Sequence, residues 1–187
     1  MRIIGGFFKG KKILDPIDRS TRPLKDLVRE SIFNILEHSK NELVKINKAN
    51  VLDLFSGTGS FGIECLSRGA EKVIFFENYY NSIKILKKNI KDFNLQKKSI
   101  IFEKNAYDLN KVNLGNKKFD LIFLDPPFKD KNIYQLVEVI KKSKIINNNT
   151  LLIIHRNKKF KENISEYLKI LREKNYGLSK IVFCKIN

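Results

Sequence analysis

Asp125-Pro-Pro-Phe128 is the stretch best equipped for chemistry. It follows the unbroken apolar run Leu121 to Leu124, which reads as a strand buried on both faces. The carboxylate is thus delivered at the C-terminal end of a strand, where open α/β sheets place their chemistry. Neither proline has an N–H, and Pro126 holds Asp125 extended. Asp125, Pro126 and Pro127 therefore form a stiff set of acceptors, with the Phe128 ring beside them. Acceptors next to an aromatic face suit a flat group carrying an amine, such as the edge of a nucleobase. The simpler alternative is a strand closing at a Pro-Pro turn with a core phenylalanine.

A second stretch, Val51-Leu-Asp-Leu-Phe-Ser-Gly-Thr-Gly-Ser-Phe-Gly62, reads as a buried strand, a glycine-rich turn and the start of a helix. Gly57 and Gly59 permit positive φ and close approach of a ligand to the backbone, and N–H groups at a helix start attract polar or negative groups. Lys72 to Phe76 is the next buried strand. It ends in Glu77, about 20 residues past the turn, an acid placed to accept from both ribose hydroxyls of an adenosine. The pattern does not by itself choose NAD over S-adenosylmethionine. At Lys104-Asn-Ala-Tyr-Asp108, small Ala106 leaves room for an adenine while Asn105 or the backbone reads its edge; an ordinary helix cap at Asn105 is the alternative.

The elements that must hold these stretches alternate along the chain. A helix runs from Ser20 or Thr21 to about Glu37, with Leu24, Leu27, Val28, Ile32, Ile35 and Leu36 on one face and Pro23 in its tolerant first turn. Further helices are expected at Tyr80 to Phe93, Asn132 to Lys144 and Ile164 to Leu171. Further strands are expected at Ser99 to Phe102, Thr150 to Ile154 and Ile181 to Ile186. Alternating strand and helix is the signature of an α/β three-layer fold with helices on both faces of the sheet. Residues 2–14 give a hairpin signal around Lys9-Gly10, so the domain reading is a basic β-hairpin arm at 1–20 and one domain at 21–187. Arg2, Lys9, Lys11 and Lys12, interleaved with Phe7 and Phe8, suit phosphate contacts with stacking rings; a hairpin lying on the core with solvated lysines is the alternative. Arg19, Arg22 and Arg29 are further basic candidates, although Arg29 also has Asp26 within an i, i+3 pairing. His38 and His155 stand alone and read as structural.

Among 187 residues, 37 are Lys or Arg and 20 are Asp or Glu, a formal charge of +17 that favours polyanionic partners. Part of that charge is compositional, because 30 of the basic residues are lysine. No segment approaches the ~20 apolar residues of a membrane helix, and no secretory leader is evident, so a cytoplasmic monomer is expected. Cys65 and Cys184 fit neither a disulfide framework nor a zinc spacing.

Taken together, Asp53-Leu-Phe-Ser-Gly-Thr-Gly59, Glu77 and Asp125-Pro-Pro-Phe128 resemble class I S-adenosylmethionine-dependent methyltransferases that act on amines conjugated to a ring or carbonyl. Arg2-Ile-Ile-Gly-Gly6, Arg22-Pro23, Val28-Arg-Glu30, Phe33-Asn-Ile-Leu36 and Lys174-Asn-Tyr-Gly177 narrow this: the chain resembles the bacterial 16S rRNA guanine-N2 methyltransferase (RsmD) family over essentially its whole length. The resemblance implies a Rossmann-like, seven-stranded, mostly parallel sheet. It implies S-adenosylmethionine held by Asp53, Phe55, Gly57, Gly59, Glu77, Asn78, Asn105, Ala106 and Asp125. It also implies a catalytic segment of Asp125, Pro126, Pro127 and Phe128, no metal, and 16S rRNA or a partly assembled small subunit as partner. Leu24 after Arg-Pro, Asn78 after Glu77 and His155-Arg156 after the fifth strand depart from the family's usual threonine and acids. An adenine-N6 DNA methyltransferase, a protein glutamine methyltransferase and a non-catalytic rRNA-binding module are the rival readings.

Overall fold

Short apolar runs bounded by polar or glycine-rich turns are strands with both faces covered, and in the computed structural model of the protein they assemble into one sheet. Residues 1–16, 24–39, 43–115, 117–159 and 166–187 are described. The strands are β1 (Asn50–Leu54), β2 (Lys72–Phe76), β3 (Ser99–Phe102), β4 (Leu121–Leu124), β5 (Leu151–Asn157), β6 (Leu168–Tyr176) and β7 (Ser179–Ile186), in the order β3-β2-β1-β4-β5-β7-β6. The pairs among β1 to β5 are parallel, and β7 runs antiparallel to both β5 and β6. Order reverses between β1 and β4, the point at which open α/β sheets form a ligand crevice.

Alternation along each strand sorts the core into two halves. Val51, Val73, Phe75, Leu121, Phe123, Leu151 and Ile153 face one side, covered by α1 (Asp26–His38), α2 (Ser60–Ser67) and α3 (Tyr80–Asp92). Leu52, Leu54, Ile74, Phe76, Ile122, Leu124, Leu152 and Ile154 face the other, covered by α4 (Ile133–Lys142) and a 3-10 helix at Ala106–Lys111. Phe61 of α2 stacks on Phe123 at 4.0 Å between centroids and on Phe33 of α1 at 5.2 Å.

Helix α2 is buried on every side, because the N-terminal arm wraps its outer face. The arm is a minimal hairpin joined at Arg2 and Lys12; Ile4 to Gly10 form its loop, so Phe7 and Phe8 sit in the loop. Glu64 of α2, fully buried, accepts from the Ile4 and Gly5 N–H groups at 2.8 and 2.7 Å and pairs with Arg68. Phe7 N–H donates to the Ser67 carbonyl and Phe8 N–H to Ser67 Oγ, while Ile3 and Ile13 enter the core.

Three expectations are corrected. The segment expected as a helix to Leu171 is, from Leu168 onward, the edge strand β6. Apolar residues at 168, 170 and 171 fit either period, and the turn at Gly177, with φ +57°, folds β6 onto β7 and decides for a strand. Leu27, placed on the inner face of α1, is 66% exposed, while Arg29 is fully buried. Helix α1 begins at Asp26 with Lys25 as its N-cap rather than at Ser20 or Thr21; those two residues and Pro23 lie outside the described residues.

Gly62 lets α2 pack tightly on β2: a Cβ there would lie 2.3 Å from Phe75 Cε1 and 2.8 Å from Val73 Cγ1. Gly62→Ala is expected to cost about 1–3 kcal/mol through overpacking, despite alanine's better helix propensity. A urea unfolding midpoint at or above that of the wild type would show that the helix can lift off the strand without penalty.

Candidate active site

Parallel register sets the site. Phe76, Leu54, Leu124 and Ile154 are level neighbours across β2, β1, β4 and β5, and the residue after each of them, Glu77, Phe55, Asp125 and His155, lines one cavity of about 450 Å³. Ser56, Gly57, Thr58, Ser60, Asn78, Tyr79 and the Pro126-Pro-Phe128 segment complete its polar and aromatic wall, with Pro16, Leu24, Phe61 and Phe123 as apolar lining.

The glycine turn is built by backbone strain and one carboxylate. Phe55, Gly57 and Gly59 all have positive φ, at 62°, 56° and 85°; for Phe55 that is a conformation non-glycine residues seldom adopt. Glu77 Oε2 accepts from Gly57 N–H at 2.7 Å, and Oε1 accepts from the Asn78 and Tyr79 N–H groups at 2.9 and 2.8 Å. Three of roughly four acceptor directions of the carboxylate are thereby used, which leaves one for a ligand hydroxyl. Gly59 does not line the cavity; its Cβ would meet Leu86 Cδ1 at 2.4 Å, so it serves the turn and the packing under α3.

Asp53 is 1% exposed. Its Oδ2 accepts from Gly62 N–H at 3.0 Å, while Oδ1 has no hydrogen-bond partner. Burial pushes its carboxyl well above the usual range, the Gly62 N–H opposes this, and the charges of Asp125 and Glu77 add to it. A buried acceptor without a donor is costly, and a ligand bearing a cationic or N–H group would relieve it. These residues fit S-adenosylmethionine in that respect: an orphaned acid, a turn open to close backbone approach and an acceptor at the β2 tip.

At the other end of the cavity Asp125 Oδ1 lies 2.7 Å from His155 Nδ1, and His155 Nε2 lies 2.9 Å from Ser179 Oγ. The Phe128 ring meets His155 edge-on at 5.4 Å. Arg156, also buried, donates to the carbonyls of Pro127 and Asp130, and Asp130 accepts from Tyr107 Oη at 2.9 Å and from Asn132 N–H at 2.7 Å. The loop carrying the two prolines is therefore clamped from β5, the 3-10 helix and α4.

Not every expected residue converges here. Asn105 caps the 3-10 helix by accepting from Tyr107 N–H, Ala106 is buried among Leu52, Leu54 and Ile74, and neither is among the residues that line the cavity; the neighbouring Tyr107 ring meets Phe55 edge-on at 6.0 Å. Arg29 donates to Asp26 and to the Arg2 carbonyl. Enclosed in this way, it is withdrawn from any nucleic acid. Arg2, Lys9, Lys11 and Lys12 are exposed, but the arm loop lies at the C-terminal end of α2, about 12 Å along the helix from the glycine turn. Arg19 and Arg22 lie outside the described residues. His155 and Ser179 were missed: nothing in their spacing signals a partner, and only the β4–β5 and β5–β7 pairings bring them to Asp125. Among the described residues no cluster could hold a metal and no helix is long and apolar enough to cross a membrane.

The family described as Conserved hypothetical protein 95 matches residues 1–185. Ribosomal RNA small subunit methyltransferase D of Haemophilus influenzae is 30% identical, over 95% of this chain and 90% of that protein. The chain belongs to this methyltransferase family, RsmD. Bacillus subtilis YlbH, a candidate rRNA methyltransferase, is 31% identical to this RsmD-family chain over 99% of it and 98% of the relative. A crystallised candidate methylase, HI0767 of Haemophilus influenzae, superposes with a TM-score of 0.77 at 28% identity, covering 100% of this chain and 98% of that one. The Rossmann-like methyltransferase fold follows, with the cavity at its switch point.

Because the fold favours the protonated form of Asp53, ionisation as pH rises past the usual carboxylate range costs the ligand-free RsmD-family chain stability. Asp53→Asn keeps an acceptor for Gly62 N–H and removes that cost. Its urea midpoint is expected to exceed the wild type's at neutral pH, with the gap closing toward pH 4. S-Adenosylmethionine binding by calorimetry is expected to weaken by about tenfold or more, from loss of a charged hydrogen bond. A variant less stable than wild type at neutral pH would remove the case for a strained acid.

Proposed function

We propose that this chain is an S-adenosylmethionine-dependent methyltransferase that modifies the exocyclic N2 amine of a guanine in small-subunit 16S rRNA. One observation carries the reading: the Asp125 carboxylate and Phe128 share a single cavity with the glycine turn, Asp53 and Glu77, so an amine and a nucleoside-bearing donor have room side by side. The small-subunit rRNA named for the Haemophilus influenzae relative supports the substrate class.

Phe55, Gly57, Glu77 and Asn78 would hold the adenosine, and Asp53 would accept from the amino acid portion. S-Adenosylmethionine bound there supplies a methyl group activated by a sulfonium. The chain's own part is to make a poor nucleophile competent. The guanine N2 lone pair is delocalised into the ring; acceptors at Asp125 and the Pro126 carbonyl, taking its two hydrogens, favour a tetrahedral nitrogen with the lone pair turned outward. Asp125 then takes the proton lost from that nitrogen, and its negative charge stabilises the cation developing there. The base must leave its stack to arrive, and Phe128, braced through the clamped loop, gives it a face to rest on. Exposed Arg2, Lys9, Lys11 and Lys12 hold phosphates outside the cavity. Phe7, 86% exposed beside them, offers an unpaired base a stacking surface.

Asp125→Ala is expected to abolish methyl transfer from tritiated S-adenosylmethionine to stripped small subunits or naked rRNA while cofactor affinity stays within about tenfold; turnover at the wild-type rate would remove that carboxylate from the mechanism. Running the same assay on duplex DNA and protein extract separates the rival acceptors, and mass spectrometry of the labelled nucleosides identifies the methylated position. Replacing Lys9, Lys11 and Lys12 together by alanine is expected to weaken RNA binding and lower its salt slope by about 0.7–0.9 per lost phosphate contact. An unchanged slope would leave these lysines as solvated surface.

A further inference from the structure

We infer that His155 is the positioning residue that decides which oxygen of Asp125 meets the substrate. The inference rests on the methyltransferase reading of the site and adds the division of labour within its carboxylate. His155 is fixed on three sides: Nδ1 lies 2.7 Å from Asp125 Oδ1, Nε2 lies 2.9 Å from the Oγ of buried Ser179, and the Phe128 ring stands 75° to it. Its side chain is 5% exposed and that of Asp125 18%, so the contact is shielded while the carboxylate still opens to the cavity.

An ionised carboxylate only accepts, so the proton between the two groups belongs to Nδ1. In a neutral ring Nε2 is then the acceptor, and Ser179 O–H donates to it. Oδ1 is committed to His155, and Oδ2 has no hydrogen-bond partner among the described residues. Terminal rotation of an aspartate is soft and two-fold; bonding one oxygen to a ring that cannot turn removes that freedom and leaves Oδ2 toward the incoming amine. Methylating that amine would form one N–C bond as the donor's S–CH3 bond breaks and leaves a neutral thioether, and would break one N–H bond. The released proton goes to Oδ2, Asp125 becomes a neutral acid, and His155 keeps Nδ1–H on Oδ1 throughout. Water takes the proton from Oδ2 when the product leaves.

The side-chain lengths of two amides separate this role from mere filling of space. The amide nitrogen of Asn reaches the place of Nδ1, whereas that of Gln reaches the place of Nε2. His155→Asn is therefore expected to keep kcat within about tenfold of wild type, while His155→Gln and His155→Phe lose roughly a hundredfold, the scale of a displaced reacting group, with KM for cofactor and RNA nearly unchanged. Equal losses in all three variants, or a better-preserved Gln variant, would overturn the assignment. A second readout needs neither cofactor nor turnover. The chain has 2 histidines, so long-range ¹H–¹⁵N spectra of the ligand-free protein resolve both rings. His155 is expected as the Nδ1–H tautomer in the wild type and as the commoner Nε2–H tautomer in Asp125→Ala; an Nε2–H ring in the wild type refutes the contact. Absence of methylation by the wild type would defeat the methyltransferase reading instead, and the spectra would still decide the His155–Asp125 geometry.

Discussion

Level pairing of parallel strands is the constraint on which the site depends. Because Phe76, Leu54, Leu124 and Ile154 share one row of the sheet, the chain leaves β2, β1 and β4 at a common height while β5 runs on to Asn157, and the residue after each of the four borders the same space. Side chains alternate between faces, so Asp125 and His155, each following a residue of the α4 side, project on the side covered by α1, α2 and α3, whereas Phe55, at positive φ just past β1, packs against the other half of the core. A slip of one residue in β4 would turn Asp125 toward the α4 side and bring Leu124 to the cavity. What prevents the slip is burial on both faces: Leu121 to Leu124 have no polar side to offer solvent, and every alternative register exposes or overpacks several of them. The geometry of the site is thus a consequence of core packing, with the loop residues inheriting their positions.

The glycine turn depends in the same way on α2, and α2 depends on the arm. A helix covered on every side must satisfy Glu64 internally, and it does so with two arm N–H groups and Arg68. Removing one partner from such a buried arrangement is costly. The N-terminal residues are therefore a structural brace whose outer loop also carries cations. They hold the far end of the helix whose first turn follows Gly57 and Gly59.

How much of this could be read from the sequence follows from the range of the interactions involved. Asp125-Pro-Pro-Phe, the glycine turn and Glu77 were legible because each is a local pattern at the end of an apolar run, and the sheet supplies their convergence. Cys65 and Cys184, whose spacing suits neither a disulfide framework nor zinc, are both free and buried. His155 was not legible, since its partners stand 30 and 24 residues away in sequence and meet it only through strand pairing. Arg29 misled because a basic residue on a basic chain suggests solvent, whereas here the Arg2 carbonyl and Asp26 draw it inward. β6 misled because its apolar spacing suits two periods and its partner strand, not its own pattern, chose between them. Asn105 and Ala106 follow a strand as a cofactor loop does, but here the Asn105 side chain caps the 3-10 helix and Ala106 is packed in the core.

The charges on the two sides of the cavity wall have opposite signs. The chain as a whole carries +17, yet among the described residues the cavity is lined by the carboxyl groups of Asp53, Glu77 and Asp125 and by no lysine or arginine. At long range the net charge draws a polyanion to the surface. Within the cavity the Glu77 and Asp125 carboxylates, partly shielded from water, disfavour phosphate and favour a cation or a donor of hydrogen bonds. A polynucleotide approaching such a surface is held by its backbone outside and can enter only through a group that carries N–H and no negative charge. A base presented by its amino edge meets that condition and a phosphate does not. On the proposed function, the lysine-rich exterior and the acidic interior would act as successive filters, the first selecting for nucleic acid and the second the part of it that enters.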